Sequence, residues 1–340
     1  MTNGREITYM VTIYDVARKT GYSTATISLA LRGSNKVKPS TTDLILKTAK
    51  QLGYKPNLIA RGLSMKSSFT LGMLLPNMEN PSYSMIVSGV EKYVNDKGYG
   101  MIIGGSDQSL EKENFYLDML EQKQVDGIFI ASSCYENAIN RLYQRPEADR
   151  IPTVVIGTST KRSDVSYVKC DSRMGAYIAV EYLIQSGRKR IGFISSSPTP
   201  WHDNERFIGY KNALTVFGIK YKENLVRFCN PNNEDIFCAA IDLLEKEKPD
   251  AIFCLYDYLA IPVLRAIAHK GCKIPDDIAV VGYDNISLSG YLPIPLTTVE
   301  TFSEKVGRLA AEILIKKIEN PEEPAKQIVI KPKLIVRESA

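Results

Sequence analysis

Apolar positions follow two rhythms along this chain. Through residues 12–53 they recur at helical spacing in short blocks, punctuated by Gly21, Gly33 and Gly53. From Phe69 onward they gather in short unbroken runs that alternate with helically spaced stretches. The first rhythm predicts three short helices. In the first, Thr12 caps, Asp15 sits in the opening turn, and Ile13, Val16 and Ala17 form a small apolar face that ends at Gly21. Ser23 caps a second helix, Thr24 to Leu31, which buries Ile27, Ala30 and Leu31 and stops at Gly33. Ser40-Thr-Thr-Asp43 has the form of a capping box and opens a third, with Ile45, Ala49 and Leu52 inward and Gly53 at its end. Two short helices joined at a glycine, with a third packed across them, describe a helix-turn-helix. Its second helix leaves Thr24, Ala25, Thr26, Ser28 and Leu29 outward, side chains small enough to approach base edges in a major groove.

The second rhythm predicts strands at Thr70–Pro76, Tyr99–Gly105, Gly127–Ala131, Thr153–Ile156, Arg190–Ser195, Ala251–Leu255 and Ile278–Gly282. Helices fill 84–97, 110–122, 172–186, 204–217, 234–247, 258–270 and 303–319. Apolar strands alternating with helices mean parallel sheets covered on both faces. The segment is long for a single sheet, so two subdomains are expected. Ligands of such sheets bind at the carboxyl ends of the strands, which places a site in the cleft between the two.

Charge sharpens the division. Residues 1–66 hold 11 Lys/Arg against 3 Asp/Glu, while the whole 340-residue chain carries only +5. A basic end on a near-neutral body suits a polyanion-binding module attached to a body of another kind. The six cysteines form no CxxC pair, and neither His202 nor His269 lies in a metal-ligand spacing, so free thiols, no metal and no cofactor are expected. No Ser-His-Asp set, P-loop or dinucleotide fingerprint argues for an enzyme. No apolar run is long enough for a membrane span, and residues 1–10 lack the zones of a secretory signal, so the expected compartment is the cytoplasm. Residues 1–9 read as a tail or as the product of an alternative start at Met10.

The run Ile13-Tyr-Asp-Val-Ala-Arg-Lys-Thr-Gly-Tyr-Ser-Thr-Ala-Thr-Ile-Ser-Leu-Ala-Leu-Arg resembles the head of the LacI/GalR repressor family. So do Val37-Lys-Pro-Ser-Thr-Thr and Leu52-Gly-Tyr-Lys-Pro-Asn-Leu-Ile-Ala-Arg-Gly-Leu63, and the likeness continues through Asn80-Pro-Ser-Tyr, Gln124-Val-Asp-Gly-Ile, Cys170-Asp-Ser, Gly282-Tyr-Asp-Asn and Pro295-Leu-Thr-Thr-Val. The resemblance implies an α/β protein: a three-helix head at 11–56, a hinge at 57–67, and a type I periplasmic-binding-protein-like core at 68–340. Within that core it implies an N-subdomain of about 68–165 and 290–325 and a C-subdomain of about 166–289 and 326–340.

The resemblance also implies roles. Tyr14, Ser23, Thr24, Ala25, Thr26, Ser28, Leu29 and Arg32 fall at positions that meet DNA. Leu63 matches a leucine that wedges into the minor groove at the operator centre, where an apolar wedge kinks the duplex. At Leu29 many relatives carry Arg or His. Leucine makes no hydrogen bond to a base and contacts a thymine methyl or packs on sugar. In the core, Tyr83 matches an aromatic that covers the ligand, Arg206 an arginine that bonds it, and Asp284 an aspartate at the opposite lip of the cleft. Tyr256 replaces a polar residue of sugar-binding members, and Gly157 stands where some have Asp. Asp257 reads as a helix N-cap. Trp201, in a proline-rich loop, either stacks on a sugar face or packs its own loop.

The expected protein is thus a regulator that binds double-stranded operator DNA as a homodimer and answers to a sugar-like small-molecule effector, with no membrane partner. The alternative is a catabolite-control-type regulator that answers to a phosphorylated carrier protein. Ser303, Glu304 and Glu312 at the corresponding docking surface weigh against it. The absence of a leucine-heptad tail after Arg337 favours a dimer over a tetramer.

Overall fold

The computed structural model describes residues 11–31, 33–54, 67–131, 135–196 and 205–340. Arg32, Leu63, Trp201 and nearly all of the expected hinge lie outside the described residues. The chain divides into two compact units, 1–68 and 69–340, each described by itself.

The head contains α1 (Ile13–Thr20), α2 (Thr24–Leu31) and α3 (Pro39–Leu52). The Thr12 amide and hydroxyl both donate to the Asp15 carboxylate, at 2.9 and 2.7 Å. These bonds satisfy an orphan donor at the helix start and hold the Asp15 carboxyl below its usual range. Gly21 ends α1 at φ +73, a left-handed conformation open to glycine without a Cβ clash. The Ser23 hydroxyl accepts the Thr26 amide at 3.2 Å and so caps α2. Ile27 and Ala30 of α2 meet Val16, Ile45 and Ala49 in a small closed core, against which Leu31 and Leu52 also pack. The third helix starts differently from expectation. Lys38 occupies its N-cap and Pro39 its first turn, so Ser40 stands inside the helix and does not cap it. Proline's missing N–H costs nothing at that position and its fixed φ suits helix entry, so it sets the boundary.

The larger unit holds two six-stranded sheets. The first has β1 (Thr70–Leu75), β2 (Gly100–Gly105), β3 (Gly127–Ile130), β4 (Thr153–Ile156), β5 (Ser166–Cys170) and β11 (Gln327–Ile330), in the order β11-β5-β4-β3-β1-β2, all parallel. The second has β6 (Ile191–Ser195), β7 (Val226–Phe228), β8 (Ala251–Cys254), β9 (Ala279–Asp284), β10 (Thr297–Glu300) and β12 (Lys333–Ile335), in the order β12-β10-β9-β8-β6-β7. Only β12 runs antiparallel to its neighbour. Around them pack α4 (Pro81–Asp96), α5 (Leu110–Gln122), α6 (Tyr135–Tyr143), α7 (Ser172–Gln185), α8 (Glu205–Val216), α9 (Asn233–Glu247), α10 (Asp257–His269) and α11 (Ser303–Glu319).

The chain passes between the sheets three times, later than the boundaries near 165, 290 and 325. Ser166–Cys170 pairs with β4 and β11 and stays in the first sheet, Thr297–Glu300 pairs with β9 in the second, and Gln327–Ile330 returns to the first. The crossings therefore follow Cys170, Glu300 and Ile330. Backbone pairing decides the matter, because β5 and β10 are short and carry polar residues that mask their strand character. α4 and α11 meet through glycines: a Cβ on Gly89 would lie 2.0 Å from the Glu304 carbonyl oxygen, and one on Gly307 2.1 Å from that of Ile86. Among the described residues no helix is long and apolar enough to cross a membrane.

Candidate functional site

In the head, α2 turns Ile27 and Ala30 into the core and leaves Thr24, Ala25, Thr26, Ser28 and Leu29 at least partly open to solvent. Tyr14 on α1 is 70% exposed. Arg18, Lys19, Lys36, Lys38, Lys47 and Lys50 are all exposed. The head therefore presents a short uncharged helix face within a unit whose exposed charges are largely basic, which suits phosphate contacts around a base-reading element.

The second site lies where strand ends of both sheets converge. From the first sheet, β1 leads into Asn80, whose side chain accepts the Ser82 amide at 3.0 Å and opens α4, placing Tyr83 in its first turn. From the second, β6, β8 and β9 deliver Ser196, Leu255, Tyr256 and Asp284, and α8 supplies Arg206 in its opening turn. The Arg206 guanidinium donates to the Leu255 carbonyl at 2.6 Å and to the Asp284 carboxylate at 3.0 Å. It lies 3.8 Å from the centre of the Tyr283 ring, a favourable cation–π distance. The Tyr256 and Ser196 hydroxyls share a hydrogen bond of 2.5 Å.

Arg206 and Asp284 do not face each other across the cleft, as the sequence suggested. Both belong to the second sheet's lobe, because α8 and the end of β9 sit side by side there, and they form an ion pair. The opposite wall comes from Asn80, Ser82 and Tyr83, which lie close enough to Asp284 to act on its charge: Asn80 and Ser82 favour the carboxylate. Burial pushes the Asp284 carboxyl up, and Arg206 above all opposes that shift. Burial also works against the Arg206 charge, but Asp284, Tyr283 and Tyr83 outweigh it and hold the guanidinium protonated. Burial raises the Tyr83 phenol, and the Asp284 charge raises it further. The Cys170 thiol, pushed up to about 12 by burial, is a neutral wall group.

Four of the five expected effector residues, Tyr83, Arg206, Tyr256 and Asp284, thus come together; Trp201 lies outside the described residues. Gly157 sits at φ +81, so the backbone at that turn accounts for the glycine without reference to a ligand.

Two groups were missed in the sequence. Lys169, buried on β5, sends its ammonium to the Ser159 hydroxyl at 3.3 Å and to both Glu205 oxygens at 3.0 and 3.2 Å. This ion pair joins the first sheet's lobe to α8, next to Arg206. A lysine among Tyr167-Val-Lys-Cys170 was the available signal, but its partner lies 36 positions away. Asp257 was expected to cap a helix. Tyr256 holds the N-cap instead, and the Asp257 carboxylate is buried, accepting the Ile286 amide at 3.0 Å, the Ser289 hydroxyl at 2.6 Å and the Thr298 hydroxyl. It braces the turn after β9, where Asp284 and Asn285 both have positive φ, 100° and 48°.

Burial raises the Asp257 carboxyl to about 7, with its hydroxyl donors pulling the other way. The unfolded carboxyl titrates near ~3.9, so between those values the native state binds the extra proton and stability falls as pH rises. The expected slope from this group is up to about 1.4 kcal/mol per pH unit. The contribution is fully present below about pH 4 and gone above about pH 7. Denaturant unfolding at pH 5 and pH 7 should show this decline in the parent and a flatter profile in Asp257→Asn. Equal profiles would place the titration elsewhere.

Known proteins match both units of the chain. Residues 12–57 match bacterial regulatory proteins of the lacI family, and residues 180–340 match a periplasmic binding protein-like domain. The chain is 34% identical over 329 residues to the HTH-type transcriptional repressor PurR of Vibrio campbellii, covering 96% of this chain and 98% of that one. It is 34% identical over 309 residues to catabolite control protein A of Priestia megaterium, covering 90% and 92%. The structure of the transcriptional regulator CelR in complex with cellobiose superposes with a TM-score of 0.70 at 26% identity, over 97% of this chain and 100% of that one.

Proposed function

Because this chain belongs to the LacI family of bacterial transcription regulators, we propose that it binds a pseudo-palindromic operator as a homodimer and that a sugar or sugar derivative in the cleft sets its operator affinity. It is a DNA-binding regulator and not an enzyme. The observation that carries the effector reading is the Arg206–Asp284 pair, with Arg206 stacked on Tyr283 and with Tyr83, Asn80 and Ser82 near enough from the other lobe to act on its charges. Taking two charges out of water is costly, and a bare pair gains little stability in return. Charged groups beside aromatic faces suit a polyhydroxyl ligand, whose hydroxyls donate to Asp284 and accept from Arg206. CelR, solved with cellobiose, is a supporting parallel.

The test is a thermal-shift screen against monosaccharides, disaccharides and sugar phosphates. A true effector at 100 times its Kd adds about 2.7 kcal/mol to native stability. The reading fails if no compound stabilises the parent, or if those that do stabilise Arg206→Ala equally.

The hinge reading rests on the family resemblance. Leu63→Ala should weaken operator binding by about 1–3 kcal/mol while leaving random-duplex binding unchanged, because only the specific complex gains from the kink. Gel-shift titrations on both duplexes check this. An equal loss on each would reduce Leu63 to a helper of hinge folding.

A second reading, control by a phosphorylated carrier protein, is favoured by the likeness to catabolite control protein A. On that surface Glu304 pairs with Lys92 at 2.5 Å and Glu312 with Arg308. These pairs match Lys92 and Arg308 with carboxylates, which weakens the surface as a selector of a phosphoprotein.

A further inference from the structure

We propose that the operator half-site is read through thymine methyl groups, with Leu29 as the specificity-determining side chain and Ala25 beside it. The inference rests on the DNA-binding reading of the head and goes on to the chemistry of the sequence it selects.

The eight residues of α2, Thr-Ala-Thr-Ile-Ser-Leu-Ala-Leu, include no charged side chain and no amide. Paired hydrogen bonds to a base edge need Arg or Lys at guanine, Asn or Gln at adenine, or a carboxylate at cytosine. Among its described residues, Thr24–Leu31, the helix that a helix-turn-helix inserts in the major groove supplies none of them. Its hydroxyls are in part already used. The Ser23 and Thr26 hydroxyls bond each other at 2.9 Å, and Ser23 also accepts the Thr26 amide. Ser28 is partnered too.

Among the outward residues, Ala25 and Leu29 form an apolar stripe beside the hydroxyls. Ile27 and Ala30 are 0% and 1% exposed and belong to the head core. Ala25 is exposed and Leu29 half-buried, and their i, i+4 spacing puts them on one face, one turn apart. The apolar feature of a major-groove edge is the thymine C5 methyl, so this stripe discriminates T·A pairs by burying methyls. Single hydroxyl contacts from the Thr24 side accept more than one base and add little selectivity. The ligand class is therefore an A·T-containing half-site with a thymine methyl set opposite Leu29, repeated symmetrically on the other half.

The experiment begins with selection of duplexes by the full-length protein from a random library, so no prior operator is needed. Each thymine of the selected sequence is then replaced by uracil, which deletes one methyl and leaves the hydrogen-bonding edge intact. One replacement opposite Leu29 should weaken binding about fourfold, and the symmetric pair about fifteenfold. Leu29→Ala should weaken binding to the thymine duplex to a similar degree and bind thymine and uracil duplexes alike. If the parent protein binds both duplexes equally at every position, the proposal is overturned. It is equally overturned if Leu29→Ala keeps the full uracil penalty. Enrichment of no sequence at all would instead overturn the sequence-specific DNA-binding reading beneath it.

Discussion

Arg206→Ala should remove the response to effector and also cost the fold about 3–5 kcal/mol, because it leaves the Asp284 carboxylate buried without its counterion. Asp284 is only 3% exposed, and Arg206 is its sole charged partner among the described salt bridges. The alanine variant also loses the stacking on Tyr283 and the bond to the Leu255 carbonyl. Two consequences can be separated by a second variant. Arg206→Met combined with Asp284→Asn removes both charges at nearly constant volume, and should regain most of the stability while staying deaf to effector. Urea unfolding of the parent, single and double variants reads the first effect, and saccharide titration reads the second. A single variant as stable as the parent would mean that Asn80 and Ser82 alone satisfy Asp284.

Operator affinity should collapse with salt. The surplus of positive charge is confined to residues 1–66, and the lysines and arginines of α1 and α3 and of the loop before α3 are exposed. If a dimer neutralises about six to ten phosphates, affinity falls by about 10³–10⁵ between 50 and 200 mM salt, through counterion release. Random duplex should show the same dependence with lower absolute affinity, because phosphate contacts carry little sequence information. Fluorescence anisotropy across a salt series measures the slope. A flat response would mean that the basic face does not meet DNA.

The two rhythms of the chain made its organisation legible, because caps, glycine stops and apolar runs are local signals. Thr12, Ser23, Gly21 and Gly33 mark the head helices as expected. The strands whose cores are continuous and apolar were readable as well. Those that escaped are short or polar: Val226–Phe228 and Lys333–Ile335 are three-residue edge strands, Thr297–Glu300 and Gln327–Ile330 have four residues each with a polar group at one end or both, and Ser166–Cys170 carries Lys169. Missing them displaced the crossing points, since pairing partners lie far away in sequence. The same limit applies at the site. Arg206 and Asp284 were identifiable as residues, but their shared lobe follows from which strand ends lie adjacent, a property of sheet order rather than local pattern. Asp257 looked like a cap because the cap position is local, whereas its actual partners, Ile286, Ser289 and Thr298, are 29 to 41 residues away.

The central claim is that cleft occupancy and operator binding are coupled through one protein. Coupling free energies of about 1–3 kcal/mol correspond to about 5–150-fold changes in affinity, and they are reciprocal. The direct measurement is operator affinity of the parent and of Asp284→Ala, each with and without the saccharide that most stabilises the parent. In the parent, the saccharide should change operator affinity within that range, and operator DNA should change saccharide affinity by the same factor. Asp284→Ala should bind operator as the parent does without saccharide and remain unmoved by its addition. A parent whose operator affinity ignores every stabilising saccharide, or an Asp284→Ala that responds as the parent does, would contradict the account.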